Sequence, residues 1–419
     1  MLKRNNKTEL ITGIDIGSTS IRIAVGQLSL HSGGRENLRI IGAVEVPSTG
    51  IYRGAVSSIE EAISSVSHAL EQIQRLIGAP IEHIWVGIGG VEIKSQESRG
   101  MVSVAKADGE IAYEDKLRAI ESAQVVAPPL NYEVMHVMPH TFVVDGQIGI
   151  KDPVGMTGTR LEVNVKIIYG LSAQLKNLNK TIYRSGLEID DVVLTIIAAG
   201  KTVSTPKQRE LGVVVVNFGG TTTSLAVYEE GEVTHTAILP IGSEHITHDL
   251  SLGLQVSADT AEKIKIKYGH SLPKSVSKRD KITITTGEGE REEVPLRYVA
   301  EIINARVGEI LEKIDEELNS IGKSALLPAG AIFIGGGANT KGLVDVARTV
   351  LRLPVALGYP VEIESITPRA YDLVFVGAVG LVKWGSNINY HFKDKKSIIY
   401  NATNKFWRWI RKLGKWLIP

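Results

Sequence analysis

Asp15-Ile16-Gly17-Ser18-Thr19-Ser20 lies between the apolar residues 11–14 and the alternating Ile21, Ile23 and Val25. This pattern predicts two strands joined by a tight, hydroxyl-rich turn. The design returns as residues 213–216, then Asn217-Phe218-Gly219-Gly220-Thr221-Thr222, then residues 224–228. An offset of 202 aligns Gly17 with Gly219, Thr19 with Thr221, Ala24 with Ala226 and Val25 with Val227, and sets Asp15 opposite Asn217. Residues 38–46 predict a third strand after the first copy. Glu230-Gly231 predicts a hairpin turn into residues 233–239 after the second.

Such turns have a definite chemistry. Glycines let backbone N–H groups approach an anion, and Ser or Thr hydroxyls add donors. A carboxylate just before the turn, as at Asp15, can hold the waters around Mg2+. One such hairpin is an ordinary turn; two facing each other would clamp a polyphosphate. A third element follows: residues 331–334 read as a strand entering Gly335-Gly336-Gly337-Ala338, and residues 341–351 as a helix. Glycines between a buried strand and a helix let a ligand lie against the backbone. Neither Gly322-Lys323-Ser324 nor Gly200-Lys201-Thr202 is a P-loop, because Glu317 and Thr195 stand where its first glycine belongs.

The 419 residues have room for two to three domains, and 43% hydrophobic with 22% charged residues places them in the folded class. With no cysteine, disulfides, thiolate metal sites and a Cys nucleophile are excluded. The polar start predicts no secretory signal, and no apolar run reaches the ~20 residues of a membrane span. Seven of the 47 bases follow the last acid, Asp394. Residues 1–394 therefore carry 40 bases against 46 acids, a net −6, and the tail carries +7. An acidic body argues against a nucleic-acid partner.

The three glycine turns, in this order, resemble the nucleotide clamp of the actin superfamily, which includes sugar kinases and heat-shock chaperones. The resemblance implies that Glu262 and Lys265, one turn apart on the expected helix 258–268, hold ribose hydroxyls; taken alone they read as a surface ion pair. Within the superfamily the chain is most similar to the FtsA family of bacterial cell-division proteins. The segments that carry this are residues 149–158, 185–190, 209–216 and 378–381. The resemblance implies an α/β, actin-like two-lobed fold with duplicated mixed sheets, an FtsA-type inserted small domain and a C-terminal amphipathic helix. Its expected parts are residues 1–83 with 166–205 and 363–384, the insertion 84–165, residues 206–245 with 306–362, and the small upper part 246–305. A linker, 385–403, and the tail 404–419 complete it. A relative in type IV pilus assembly shares the insertion but not the tail.

In the tail, Phe406, Trp409, Ile410, Leu413, Trp416 and Leu417 share one third of a helical turn. Trp407 sits at the edge, and Lys405, Arg408, Arg411, Lys412 and Lys415 lie opposite. A polar linker precedes this stripe, Trp dominates its apolar face and no acid interrupts the basic one. Those features predict a helix lying in the headgroups of anionic lipid; a partner groove is the alternative. At about 22 Å it is too short to span. The resemblance implies the same membrane-targeting role.

The superfamily uses a carboxylate on each hairpin for Mg2+ and a Gln, Asp or Glu to position the attacking water. Here Asn217 replaces the second carboxylate, and residues 192–205, where the water-positioning residue usually sits, offer none. The expectation is Mg-ATP binding with slow or absent hydrolysis and no catalytic residue. Arg306 and Glu309, on an expected helix 297–319, correspond to positions FtsA uses for the FtsZ C-terminal tail. The resemblance further implies self-association into filaments, other division partners through the insertion, and work on the cytoplasmic face of the membrane at the division site. A small-molecule kinase and a pilus scaffold are the alternatives. His245 and His248, with Asp249 adjoining, lack a third protein ligand at proper spacing for a metal, and His136 and His140, flanking Pro139, read as structural. Residues 275–294 read as a hairpin turning at Gly287-Glu288-Gly289.

Overall fold

The structure, a computed structural model, describes residues 9–30, 36–285 and 291–393. The first lobe opens with the antiparallel strands β1 (Glu9–Ile16), β2 (Ser20–Leu30) and β3 (Glu36–Pro47). A short ribbon, β4 (Ile51–Tyr52) and β5 (Ala55–Val56), leads to α1 (Ile59–Ile77) and β6 (His83–Ile88). Ala62, Val66, Ala69 and Ile73 form the buried stripe of α1, and Gly78, at φ 68°, ends the helix.

The insertion comprises β7 (Lys94–Ser103), α2 (Tyr113–Ala123), β8 (Tyr132–Val144), β9 (Gln147–Ile150) and β10 (Arg160–Leu171). The chain returns through α3 (Ser172–Arg184), β11 (Glu188–Leu194) and α4 (Thr195–Val203). The second lobe holds α5 (Pro206–Leu211), β12 (Val213–Phe218), β13 (Thr223–Glu229), β14 (Glu232–Leu239), α6 (Ser243–Leu254) and α7 (Ala258–Tyr268). It continues with β15 (Lys281–Thr285), β16 (Arg291–Pro295), α8 (Leu296–Ser320), β17 (Ala331–Ile334), α9 (Leu343–Leu351) and β18 (Val355–Leu357). Finally β19 (Glu364–Ser365) and α10 (Val376–Lys393) return to the first lobe.

The two large sheets run β11-β6-β1-β2-β3-β19 and β18-β17-β12-β13-β14. Each is an antiparallel meander of three strands extended on one side by two parallel ones, and the first sheet adds β19, parallel to β3, on the other side; the repeated turn thus marks a repeated sheet. Val213, Val214, Val215 and Val216 are all fully buried, as a strand covered on both faces requires. The expected hairpin at Glu230-Gly231 forms, with φ positive at both residues.

The structure redraws several boundaries. The insertion was expected from residue 84, but β6 is an inner strand of the first sheet, between β1 and β11. The inserted sheet, β7-β10-β8-β9, runs from Lys94 to Leu171, so residues 166–171 belong to it and not to the first lobe. The expected division between 305 and 306 falls inside the continuous α8. The expected linker begins too early, since α10 extends to Lys393. Gly385 serves packing there: a Cβ on it would stand 2.5 Å from the indole nitrogen of Trp85, and Ser386 is buried. His245, His248 and Asp249 lie on α6. Gly287-Glu288-Gly289 and the tail 404–419, with Lys405, Phe406, Trp407, Arg408, Trp409, Ile410, Arg411, Lys412, Leu413, Lys415, Trp416 and Leu417, lie outside the described residues.

Candidate functional site

The two hairpins meet between the lobes. Within each, the glycine N–H donates to the carbonyl three residues on: Gly17 to Ser20 at 3.1 Å and Gly219 to Thr222 at 3.0 Å. Across the gap Thr221 Oγ1 donates to Ser18 Oγ at 2.9 Å, and Ser18 Oγ also accepts the N–H of Gly54 at 3.0 Å. Thr19 is exposed beside Gly220, where a Cβ would come within 2.5 Å of its methyl group. The third turn closes onto the second hairpin. Gly335 has φ 87°, and a Cβ there would crowd the side chain of Asn217 and stand 2.8 Å from the Phe218 carbonyl. Only glycine combines that φ with that approach. Gly336 remains exposed, while Gly337 and Ala338 are buried.

Asp15 and Asn217 occupy the same place in their sheets: each is paired with the neighbouring hairpin strand and with a parallel strand, Gly87 for Asp15 and Ile334 for Asn217. Thr195 Oγ1, the first residue of α4, donates to Asp15 Oδ1 at 3.3 Å. A Cβ on Gly377 would be 2.8 Å from Asp15 Oδ2. Desolvation pushes the Asp15 carboxyl above its ordinary range, against the opposing effects of Arg22 and Thr195.

Helix α6 is fastened to the second hairpin at its N-terminus. Ser243 and Glu244 N–H donate to the carbonyls of Gly219 and Gly220 at 2.9 and 2.8 Å. Glu262 and Lys265 form the expected ion pair at 2.7 Å, but it is no free surface pair. Lys265 Nζ also donates to Ser243 O at 3.1 Å and Thr247 Oγ1 at 2.8 Å, and Thr247 bonds Glu262. Glu244, not singled out by sequence, lies beside Gly220 and this pair. Burial raises its carboxyl, Lys265 lowers it, and Glu262 raises it. Its signal was the Gly242-Ser243-Glu244 helix start, legible only once α6 was known to abut the hairpin.

The groups present fit a nucleotide polyphosphate: donors from two glycine turns and the hydroxyls of Ser18, Ser20, Thr221 and Thr222, beside two carboxyls, Asp15 and Glu244, that burial raises. No group of three or more His, Asp or Glu side chains gathers as a metal cage among the described residues. A divalent ion at the turns would be held largely through waters and phosphates, with Asp15, just before the first turn, placed to order those waters.

A second feature lies on the second lobe. Arg306 forks onto Asp249 at 2.6 and 2.9 Å and also pairs with Glu309. These bonds, to Asp249 above all, hold its guanidinium above its ordinary pKa. The pair borders a groove of about 460 Å³ that Leu239, Ile241, His245 and Lys313 help line. His136 and His140 lie on β8; among the described residues no helix is long and apolar enough to cross a membrane.

Family models match two parts of the chain: "Cell division protein FtsA" over residues 214–378 and "SHS2 domain inserted in FTSA" over residues 90–169. Cell division protein FtsA of Pseudomonas aeruginosa is 32% identical over 378 residues, covering 90% of this chain and 89% of that protein. The Bacillus subtilis protein is 35% identical over 380 residues, covering 90% and 84%. Among solved structures, a PilM–PilN type IV pilus biogenesis complex matches with TM-score 0.65 and 13% identity over 90% of this chain and 98% of that one. MreB5 of Spiroplasma citri bound to ADP matches with TM-score 0.54 and 11% identity over 92% and 99%. At such identities these structures speak to fold alone, and the fold they share with this chain is actin-like.

Proposed function

Because the chain belongs to the FtsA family of bacterial cell-division proteins, we propose that it binds Mg-ATP between its lobes, self-associates into actin-like filaments, and tethers FtsZ polymers to the cytoplasmic membrane at the division site. The observation that carries the nucleotide reading is the pair of hairpins with matching glycine bonds, joined through Ser18 and Thr221. Gly17, Gly219 and Gly220 leave room for phosphate oxygens, and the hydroxyls of Ser18, Thr19, Ser20, Thr221 and Thr222 supply donors. Gly335, Gly336, Gly337 and Ala338 form the wall on which the base rests, and Glu262 with Lys265 faces the ribose. Asp15 would orient the waters of a bound Mg2+, which would supply neutralisation of phosphate charge; Asn217 supplies no second carboxylate.

Hydrolysis is slow in this reading, because Thr195 stands at the α4 terminus beside Asp15 and cannot act as a carboxylate or amide in orienting water. The same absence counts against a small-molecule kinase, which needs a base there. The groove beside Arg306 and Glu309 takes the FtsZ C-terminal tail, and the insertion meets other division proteins. The basic, Trp-rich segment from residue 404 holds anionic lipid; one segment of ~15 residues binds modestly, and a filament multiplies it. The pilus-scaffold alternative shares the fold but gives no reason for that tail.

Titration with a fluorescent ATP analogue, with and without Mg2+, tests the core of this reading. Saturable, Mg-enhanced binding supports it. An absence of binding in the intact chain overturns it.

A further inference from the structure

The inserted sheet has two faces with different neighbours. Val165 and Ile167 join the insertion's own core under α2. On the opposite face, His136, Met138, Lys166 and Ile168 are mutually paired: His136 with Ile168 and Met138 with Lys166. Ile168 and Met138 pack into an apolar cluster that contains Ile197 of α4 in the first lobe and Val215, Ala226 and Tyr228 of the second. The insertion therefore covers the seam between the lobes.

Two polar side chains on this face reach into different lobes, and each takes a backbone group. His136 Nε2 accepts the N–H of Leu194 at 3.2 Å, immediately before Thr195, whose hydroxyl bonds Asp15 in the cleft. Lys166 donates to the carbonyl of Thr234 on β14, in the sheet that carries the second hairpin. Lys166 is 6% exposed, and its nearest carboxylate, Glu97, stands 3.8 Å away. A buried ammonium on a neutral carbonyl is a poor device for stability, since an apolar side chain of similar length would avoid the desolvation cost. Burial also holds the His136 imidazole neutral, down to about 4, which keeps Nε2 an acceptor. A further tie to the second lobe, Lys151 to Glu210 at 2.8 Å, is exposed and correspondingly weak.

We propose that the inserted sheet is a strap across the seam, fixed to one lobe by His136 and to the other by Lys166, so that lobe separation and the pose of the inserted domain change together. Both residues act as positioning residues. The coupling to nucleotide rests on the reading of the cleft given above; the strap itself does not.

The absence of cysteine makes a direct test practicable. Spin labels at Glu121→Cys on α2 and Thr349→Cys on α9, both exposed, report the distance between insertion and second lobe in the full chain. Without nucleotide the parent gives one narrow distribution, and Lys166→Met or His136→Phe widens it at least about twofold. His136→Gln, which keeps an acceptor, stays close to the parent. Mg-ATP shifts the distribution in the parent, and Lys166→Met loses the shift. Unchanged widths in both variants overturn the strap. So does a parent whose distribution ignores nucleotide while a parallel fluorescent-analogue titration shows it bound, a result that needs no variant to fold. A parent that binds no nucleotide overturns the cleft reading and the coupling with it, while the nucleotide-free widths still judge the strap.

Discussion

Ser18 and Thr221 are 203 positions apart and sit on hairpins of different lobes, yet their hydroxyl oxygens are 2.9 Å apart. This contact makes the two turns one site. It also means that crowding either turn affects both. Gly220→Val puts methyl groups where Thr19 already lies, so nucleotide affinity is expected to fall at least about tenfold, roughly 1.4 kcal/mol, with a small change in melting temperature. Equilibrium titration beside a thermal melt checks this; a variant that binds like the parent refutes the two-hairpin clamp.

The buried carboxyl of Asp15 works against stability at neutral pH. Its folded pKa is raised, so the folded state binds the proton more tightly than the unfolded chain, and stability falls as pH rises from the ordinary value of 3.8 through the raised one. Asp15→Asn should therefore melt higher than the parent at pH 7 and alike below pH ~4. Mg2+-enhanced nucleotide affinity should be lost. A lower melting point at pH 7 would contradict the assignment.

His136 has the opposite dependence. Its folded pKa is depressed from 6.5 to about 4, so its contribution is complete above pH 6.5 and is lost as pH falls towards 4. In His136→Gln, the loss of stability across that window should be shallower than in the parent. Urea midpoints at half-unit steps of pH would reveal it.

Phosphate release by the parent is expected well below one per second, an ordinary enzyme rate. Asn217→Asp restores a carboxylate at the position matching Asp15 and should speed release severalfold with little change in affinity. Parent turnover above that rate would remove the argument from Thr195 and Asn217.

Arg306 and Glu309 are separable. Glu309→Ala should weaken binding of an FtsZ tail peptide without altering stability, because Arg306 retains its fork on Asp249. Arg306→Ala should lose the peptide and also cost about 1.5–3 kcal/mol, the scale of a charged hydrogen bond. For the tail, vesicle co-sedimentation of the full chain and of a chain ending at Thr403 should pellet only the full chain, and only with anionic lipid. Equal behaviour would turn attention to a partner groove.

Much of the fold was legible because it rests on local chemistry. The repeated hydroxyl turn, the valine run in β12, the Glu230-Gly231 turn and the helices α7 and α8 follow from periodicity and turn residues within a few positions. The missed boundaries have a common cause. Gly385 reads as a breaker in sequence, yet it is a contact surface for Trp85, three hundred positions away. Likewise residues 83–88 and 166–171 are apolar stretches whose sheet cannot be told from their own residues.

The sequence by itself determined which groups are on offer: glycines and hydroxyls at the turns, a carboxylate at Asp15, an amide at Asn217, and, away from the cleft, a basic tryptophan-rich tail. Tertiary structure decided which groups share a site. It brought Glu244 beside Gly220, turned Glu262 and Lys265 from a surface pair into a bridge onto α6, and set His136 and Lys166 of the inserted sheet against backbone groups of different lobes. A turn is fixed by the dihedral preferences of its own residues, whereas these contacts join backbone and side chains distant in the chain, and only the packed sheets bring them within bonding distance.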